Sequence, residues 1–382
     1  MTVSTSVRIL ITGGGTGGHV YPGLALAEAL LADAPNADIQ FAGTKRGIES
    51  RLVPEAGFKL HLIPASGLRG LGHKARFLFV VNFFGGVLRS LGLMLKWRPS
   101  VVVGTGGFVS APVMTAARLL GIPCALQEQN AIPGSTNRLV GRWSRRIYLG
   151  FGIAARYFKS VRCRATGNPV RQSFIKAAHS ADNLPADLAD FGQPGQRVLV
   201  VGGSGGAHTL NQAVQDSADR LAELTGAAVF VQTGRREFEN VSASVTTESV
   251  RVAAYIENMA ATLNWADLVV CRAGAMTLAE LQVVGRPAVL VPYPFATDDH
   301  QLHNARDLEN AGAAVVLTDD QCDGDTFFTT IKELLVTPDR LHTMAAAAAK
   351  LGRPAAAKII ALDVLEMVGH PAGLRWAEET AE

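Results

Sequence analysis

Short apolar runs and helix-like stretches take turns along the chain. In the first half the runs fall at Arg8–Thr12, Ile39–Ala42, Val101–Val103 and Pro123–Gln127, and a helix is expected from about Val20 to Ala32. Strands that alternate with helices predict a parallel sheet covered on both faces, because parallel neighbours need a crossover and a helix is its usual form. The string ATGNPVR at 165–171 carries the Gly, Asn and Pro of a linker, and a polar stretch follows at 178–196. A second series then begins with Arg197–Val201 and continues through Ala228–Gln232, Leu268–Cys271, Ala288–Val291 and Ala314–Leu317. The expected fold is α/β, with two Rossmann-like, doubly wound parallel-sheet domains over 1–168 and 169–352. Each half opens with an apolar strand, a glycine-rich loop and a helix, GGGTGG at 13–18 and GGSGGA at 202–207. Two such sheets facing one another would enclose a cleft, the usual place for a ligand.

One apolar stretch stands apart. Phe77–Leu95, FLFVVNFFGGVLRSLGLML, approaches the length of a membrane span but is interrupted by Asn82, Gly85, Gly86 and Arg89. A midpoint arginine costs a few kcal/mol in a bilayer, and the α/β pattern continues on both sides. A buried helix and an interfacial helix are the other readings; the basic flanks His73, Lys74, Arg76 and Lys96, Arg98 resemble those of monotopic anchors.

Composition supports two cored domains: 382 residues, 48% hydrophobic and 18% charged, neither disordered nor fibrous. The N-terminal MTVSTSVRILITGGG has no signal-peptide pattern, so export is not expected. Cys124, Cys163, Cys271 and Cys322 are too scattered for a zinc site or a disulfide framework and are read as packing residues in a reducing compartment. The net charge of +3 hides an asymmetry, since residues 1–170 hold 20 Lys/Arg against 6 Asp/Glu and residues 171–382 hold 16 against 27. Between Glu55 and Glu128 there is no acidic residue, while Lys59, Arg69, Lys74, Arg76, Arg89, Lys96, Arg98 and Arg118 all fall there. Such a stretch is drawn to an anionic surface, lipid headgroups or nucleic acid. Its richness in Phe, Leu, Val and Gly favours lipid and speaks against nucleic acid.

Gly13, Gly15 and Gly18 satisfy a dinucleotide fingerprint, but the second strand runs into FAGTKRG at 41–47, without the acidic residue that holds a cofactor ribose. This argues against a nicotinamide oxidoreductase. What remains is either a tight turn or a set of backbone donors at a helix start, suited to phosphate or an oxyanion. His19 heads that helix, where the dipole disfavours its protonated form, so a neutral imidazole could accept a proton. Gly104, Thr105, Gly106 and Gly107 are read as a second loop that could cradle an anion. In the second half Thr277 and Glu280 have the spacing of a capping box, a sufficient structural reason for both; the alternative is a helix start on a diphosphate with Glu280 on ribose hydroxyls. The cluster Asp298, Asp299, His300, Gln301, His303, Asn304 raises metal binding, yet such residues also begin helices, and the turn Asp323-Gly324-Asp325 is explained by capping. Chemistry without a metal or other cofactor is expected.

Taken in order, GGGTGGHVYPGLALAEAL, GTGGFVSAPV, QEQNAIPGSTNR, GNPVR, VVGGSGGAHTLN, YIENMAATLNWADLVVCRAGAMTLAE and PYPFATDDHQLHNA closely resemble the MurG family of bacterial glycosyltransferases over nearly the whole chain. The resemblance implies the GT-B architecture of two facing Rossmann-like domains, with the C-terminal segment 353–382 packing back on the first. It implies an inverting transfer of N-acetylglucosamine from UDP to an undecaprenyl-diphosphate-linked N-acetylmuramyl-pentapeptide, or, as an alternative, another UDP-sugar-dependent transfer to a lipid acceptor. The setting would be the cytoplasmic face of the inner membrane, with an anionic surface meeting region 56–127. Carried over, the donor contacts fall on Thr16, Gly17, Gly18, Asn130, Arg171, Ser204, Ile256, Ala275, Met276, Thr277, Leu278, Ala279, Glu280 and Gln301. Glu280 then reads as the ribose ligand, Ile256 as a backbone contact to uracil, and Ser204 with the helix start at 275–277 as diphosphate donors. Gly15 and Gly104–Gly107 are the set considered for the acceptor diphosphate, and His19 is the candidate base. Two departures stand out: Gln127 where some relatives have His, and Gly205 where a bulkier residue is usual. A non-catalytic nucleotide-sugar binder is distinguished from the enzyme only by His19.

Overall fold

The computed structural model describes residues 7–67, 73–179, 184, 186–203 and 205–381. The chain forms two compact units. The first comprises residues 1–171 and 353–382, so it extends three residues beyond the expected boundary at 168; the second comprises residues 172–352.

The first unit holds seven strands: β1 Arg8–Gly13, β2 Asp38–Gly43, β3 Lys59–Leu62, β4 Val101–Gly106, β5 Cys124–Glu128, β6 Arg146–Leu149 and β7 Cys163–Arg164. They are all parallel, in the order β3-β2-β1-β4-β5-β6-β7. The central strands are buried on both faces, which is why they read as unbroken apolar runs. One face packs on helix Gly17–Asp33 and the C-terminal helix Ala356–Met367, joining Ile9, Ile11, Leu26, Val103 and Ile360 in one core. The other packs on helices His73–Trp97 and Ser110–Leu119 through Leu10, Val102, Val113 and Leu126. The C-terminal segment is tied to this sheet by polar contacts as well. The Tyr148 hydroxyl donates to Asp363 Oδ2 at 2.6 Å, and Arg146 Nε lies 3.3 Å from the same oxygen. Burial first, and then the Asp363 charge, push the Tyr148 phenol well above its ordinary value, so it stays a neutral donor.

The second unit repeats the plan with β8 Arg197–Val201, β9 Ala228–Gln232, β10 Val250–Ala253, β11 Leu268–Cys271, β12 Ala288–Leu290 and β13 Ala314–Val316, parallel in the order β10-β9-β8-β11-β12-β13. Its core joins Val200, Val231, Val270 and Val289 to Leu210 and Phe327 from the covering helices. Asp323 caps helix Gly324–Leu335 by accepting from the Thr326 N–H at 2.8 Å, and Asp325 pairs with Arg220. Cys124, Cys271 and Cys322 are buried and unbridged, and burial pushes their thiols up to about 12.

Helix His73–Trp97 is half packed. Val87, Ser90 and Met94 are buried, whereas Phe77 is 72%, Phe84 61% and Leu88 69% exposed. Its Phe77–Trp97 portion is long and apolar enough to cross a membrane. Of the expected basic flank, Arg69 and the side chains of His73, Lys74 and Arg76 lie outside the described set.

Candidate functional site

In each sheet the strand order reverses beside its first strand, and loops leaving the strand ends there diverge to make room for a ligand. In the first unit this switch point lies between β1 and β4. The register pairs Gly13 with Gly106 across a bulge, and the Gly14 N–H donates to the Gly106 carbonyl at 3.3 Å. Two glycine strings far apart in sequence therefore meet. Side chains have no room at the junction: a Cβ on Gly13 would stand 1.9 Å from Thr105 Oγ1.

His19 stands in the first turn of helix Gly17–Asp33, whose N-cap is Thr16. Its Nδ1 lies 3.0 Å from the Thr105 carbonyl oxygen and 3.2 Å from Gln129 Oε1. Both partners are acceptors, so Nδ1 carries a proton, and in the neutral tautomer that leaves the lone pair on Nε2. The Thr105 hydroxyl donates to the His19 carbonyl at 2.7 Å, which ties the ring and its backbone to one strand end. Behind it is a chain of buried amides. Gln129 Nε2 donates to the Thr105 carbonyl at 2.7 Å and to Gln127 Oε1, Gln127 Nε2 to Asn168 Oδ1 at 2.8 Å, and Asn168 Nδ2 back to the Gln129 carbonyl at 3.0 Å. Gln127, Gln129 and Asn168 are not singled out by spacing; the signal for the two glutamines is a polar run, QEQN at 127–130, at the end of a buried strand, and Asn168 has none beyond its place in GNPVR.

The expected second glycine loop is corrected here. Gly104, Thr105 and Gly106 are the buried end of β4, and the Thr105 hydroxyl is turned inward, so they do not form one open loop with Gly107. Pairing on both sides of a central strand outweighs the poor strand propensity of Gly-Thr-Gly. Around the first loop, the Gly15 N–H is committed to Glu49 Oε2 at 2.9 Å. The Gly17 and Gly18 N–H groups have no partner among the described residues and lie at the start of the helix, where the dipole favours an anion.

Glu128, at the end of β5, is 1% exposed. Its Oε1 accepts from the Asn130 N–H at 2.8 Å and its Oε2 from Asn137 Nδ2 at 2.7 Å. Burial raises its carboxyl above the ordinary range against the pull of those donors. Arg171 closes the first unit with its guanidinium 4.2 Å from the centre of the Tyr21 ring.

In the second unit the switch point lies between β8 and β11. The loop after β8 has left-handed turns at Gly203 and Gly206; Ser204 lies outside the described residues. After β11, Gly274 is the N-cap of helix Ala275–Val284, which corrects the capping box: Thr277 is already the third helical residue and makes no cap. The Met276 and Thr277 N–H groups have no partner among the described residues, whereas the Leu278 N–H donates to the Gly274 carbonyl at 3.0 Å and its side chain is buried. Ala275 and Ala279 are buried too, and Glu280 is 8% exposed in the helix interior. Gln232 bridges two further positions, donating to the Gly203 carbonyl and accepting from the Ile256 N–H, both at 2.9 Å. The Ile256 amide is therefore engaged. Gln301 Oε1 accepts from the Tyr293 N–H at 2.9 Å, while Asp298 and Asp299 hold left-handed backbone at the start of helix His300–Asn310.

Two doubly wound units, each with helix-start donors at its switch point, define the class: a two-domain enzyme of the GT-B fold. The N-terminal domain of glycosyltransferase family 28 matches residues 9–149 and its C-terminal domain residues 197–360. The UDP-N-acetylglucosamine--N-acetylmuramyl-(pentapeptide) pyrophosphoryl-undecaprenol N-acetylglucosamine transferase of Anaeromyxobacter sp. (strain Fw109-5) is 45% identical over 374 residues, 96% of each chain. The protein of the same description from Myxococcus xanthus is 41% identical over 378 residues, 96% of this chain and 95% of its own. A crystal structure of MurG from Acinetobacter baumannii superposes with a TM-score of 0.73 at 28% identity, covering 94% of this chain and 99% of that one. The chain belongs to glycosyltransferase family 28 and, within it, to the MurG family.

Proposed function

We propose that this glycosyltransferase moves N-acetylglucosamine from UDP-N-acetylglucosamine to the muramyl sugar of undecaprenyl-diphosphate-linked N-acetylmuramyl-pentapeptide. The observation that carries the reading is identity of 38–45% to relatives of that description over 93–96% of the chain. The acceptor hydroxyl attacks the anomeric carbon as the bond to the diphosphate breaks, inverting the centre from α to β. His19 Nε2 takes the hydroxyl proton, with the ring held by the Thr105 carbonyl. Helix-start N–H groups at Met276 and Thr277, together with Arg171, stabilise the charge growing on departing UDP. The buried carboxylate of Glu280 serves the donor ribose, and no metal is called for in this scheme.

The apolar exposed side of helix His73–Trp97, within a stretch lacking acidic residues, supports peripheral docking on the anionic cytoplasmic leaflet of the inner membrane. The product would feed peptidoglycan synthesis and so cell-wall biogenesis, cell shape and division. The test is transfer of labelled N-acetylglucosamine to a short-chain lipid-linked muramyl pentapeptide, with and without chelator. Disaccharide-lipid formed in both arms is expected. Product lost with chelator would keep the transfer and return attention to Asp298 and Asp299, and UDP-sugar binding without product would refute the acceptor. Vesicle co-sedimentation indifferent to salt and lipid charge would remove the electrostatic part of docking.

A further inference from the structure

The loop after β1 already holds an anion, and it is the protein's own. Glu49, at the start of helix Glu49–Glu55, is 0% exposed. Its Oε2 accepts from the Gly15 N–H at 2.9 Å, and its Oε1 accepts from the Thr44 N–H at 2.8 Å and the Thr44 hydroxyl at 2.7 Å. Among the described residues it has no ion-pair partner, so backbone and hydroxyl dipoles alone solvate the charge. The surrounding chain is shaped to admit it. A Cβ on Gly14 would stand 2.3 Å from Glu49 Oε1, one on Gly47 2.0 Å from Oε2, and one on Gly43 2.5 Å from Cγ. Gly15 itself has φ +90, a conformation that lets its N–H turn toward the carboxylate.

We propose that Glu49 is a positioning residue for His19, an internal carboxylate that takes the Gly15 N–H which a bound phosphate would otherwise meet. Glu49 fixes Gly15, Gly15 leads through Thr16 into the helix start, and the helix start sets His19 beneath the Thr105 carbonyl. A substrate diphosphate is excluded from Gly15, because a second anion there would face a buried carboxylate, and the Gly14 N–H is already held by the Gly106 carbonyl. Anion binding by this loop is confined to the Gly17 and Gly18 N–H groups. The inference deepens the transferase reading and rests on His19 as its base.

The experiment compares the full-length wild type with Glu49→Gln and Glu49→Ala by the nitrogen spectrum of isotopically labelled histidine and by transfer kinetics. Wild-type His19 is expected as one tautomer, protonated on Nδ1. Glu49→Gln turns an amide donor toward the donors of Gly15 and Thr44, so the tautomer becomes mixed and kcat falls about 100-fold, the effect of an ångström-scale misplacement. Binding of UDP and the melting temperature of the second unit stay as in the wild type. In Glu49→Ala, formate restores the single tautomer and part of kcat, and neutral formamide does not. An unchanged His19 spectrum in folded Glu49→Gln overturns the proposal whatever the activity, and equal rescue by formamide overturns the role of charge. A shifted His19 spectrum in a chain whose wild type transfers no sugar would sink the transferase reading and leave the positioning role standing. Should Glu49→Ala fail to fold, the Gln variant decides the matter alone.

Discussion

Replacing Gly107 by alanine tests whether the glycine strings of the first unit are held by direct backbone contact. Gly107 has φ +81, and a Cβ built on it would stand 2.3 Å from the Gly14 carbonyl oxygen. The left-handed backbone alone costs an L-residue about 1–2 kcal/mol. No rotamer relieves the contact, because the obstacle is main chain, and overpacking of this kind adds roughly 1–3 kcal/mol. Gly107→Ala should therefore destabilise the first unit by about 2–5 kcal/mol. Gly121 is the control: its φ is +69, and nothing lies within 4 Å of its would-be Cβ. Gly121→Ala bears only the backbone term, about 1–2 kcal/mol. Urea unfolding of both variants isolates the contact term by difference, and sugar transfer measured on the folded fraction reads the displacement of Gly14 and, through it, of His19. The expected result is a kcat lowered about 100-fold in Gly107→Ala and unchanged in Gly121→Ala. Equal destabilisation with equal kcat in the two variants would refute the contact between the strings.

Three further outcomes follow from the same geometry. His19→Ala should slow the single-turnover chemical step by about 100- to 10,000-fold, and a variant retaining most of its rate would remove the base assignment while leaving the fold intact. Tyr148→Phe leaves the buried Asp363 without its 2.6 Å donor and should cost about 1–3 kcal/mol in urea unfolding; a loss under about 0.5 kcal/mol would mean that Arg146 suffices for the Asp363 carboxylate. Glu128 gives a pH signature. Its folded carboxyl is raised above the ordinary 4.5, so the native state binds more protons than the unfolded chain in the window from 4.5 upward, and stability falls as pH rises through it. Glu128→Gln should lack that component, and parallel pH profiles for the two proteins would contradict the burial cost.

Central strands were the more legible part of the fold, and of the four outer strands only β13, apolar throughout, was expected from the sequence. β8, β9 and β11 match the expected bounds residue for residue, because both faces of these strands are covered and, apart from Arg197 and Gln232 at their ends, every position is apolar. The strands that pattern did not reveal are β3, β6, β7 and β10, with sequences KLHL, RIYL, CR and VRVA. Three of them are the outer strands of their sheets. A strand with one neighbour keeps charged side chains in water, and those charges also discourage pairing with another chain, so the run loses the apolar continuity that marks a central strand. At Gly104–Gly106 the failure was the reverse. There the residues disfavour a strand, and hydrogen bonding to β1 and β5 imposes one.

The site divides along the same line between local and distant causes. The glycine strings were legible because strand, loop and helix follow one another directly, and the helix-start donors come from that local order. Glu49 and Gln129 were not, because their partners Gly15 and His19 lie 34 and 110 residues away, and no spacing encodes such a contact. A weaker signal did exist in QEQN: four polar residues at the end of a buried strand must find partners, so they announce a network without naming its target. Thr277 and Glu280 teach the opposite lesson. Their spacing fits a capping box, but the helix start is set by the end of β11 and the extended Gly274, which begins the helix before Thr277 can cap it. Glu280 is thereby carried into the helix interior, 8% exposed, rather than standing at the third position after a capping threonine.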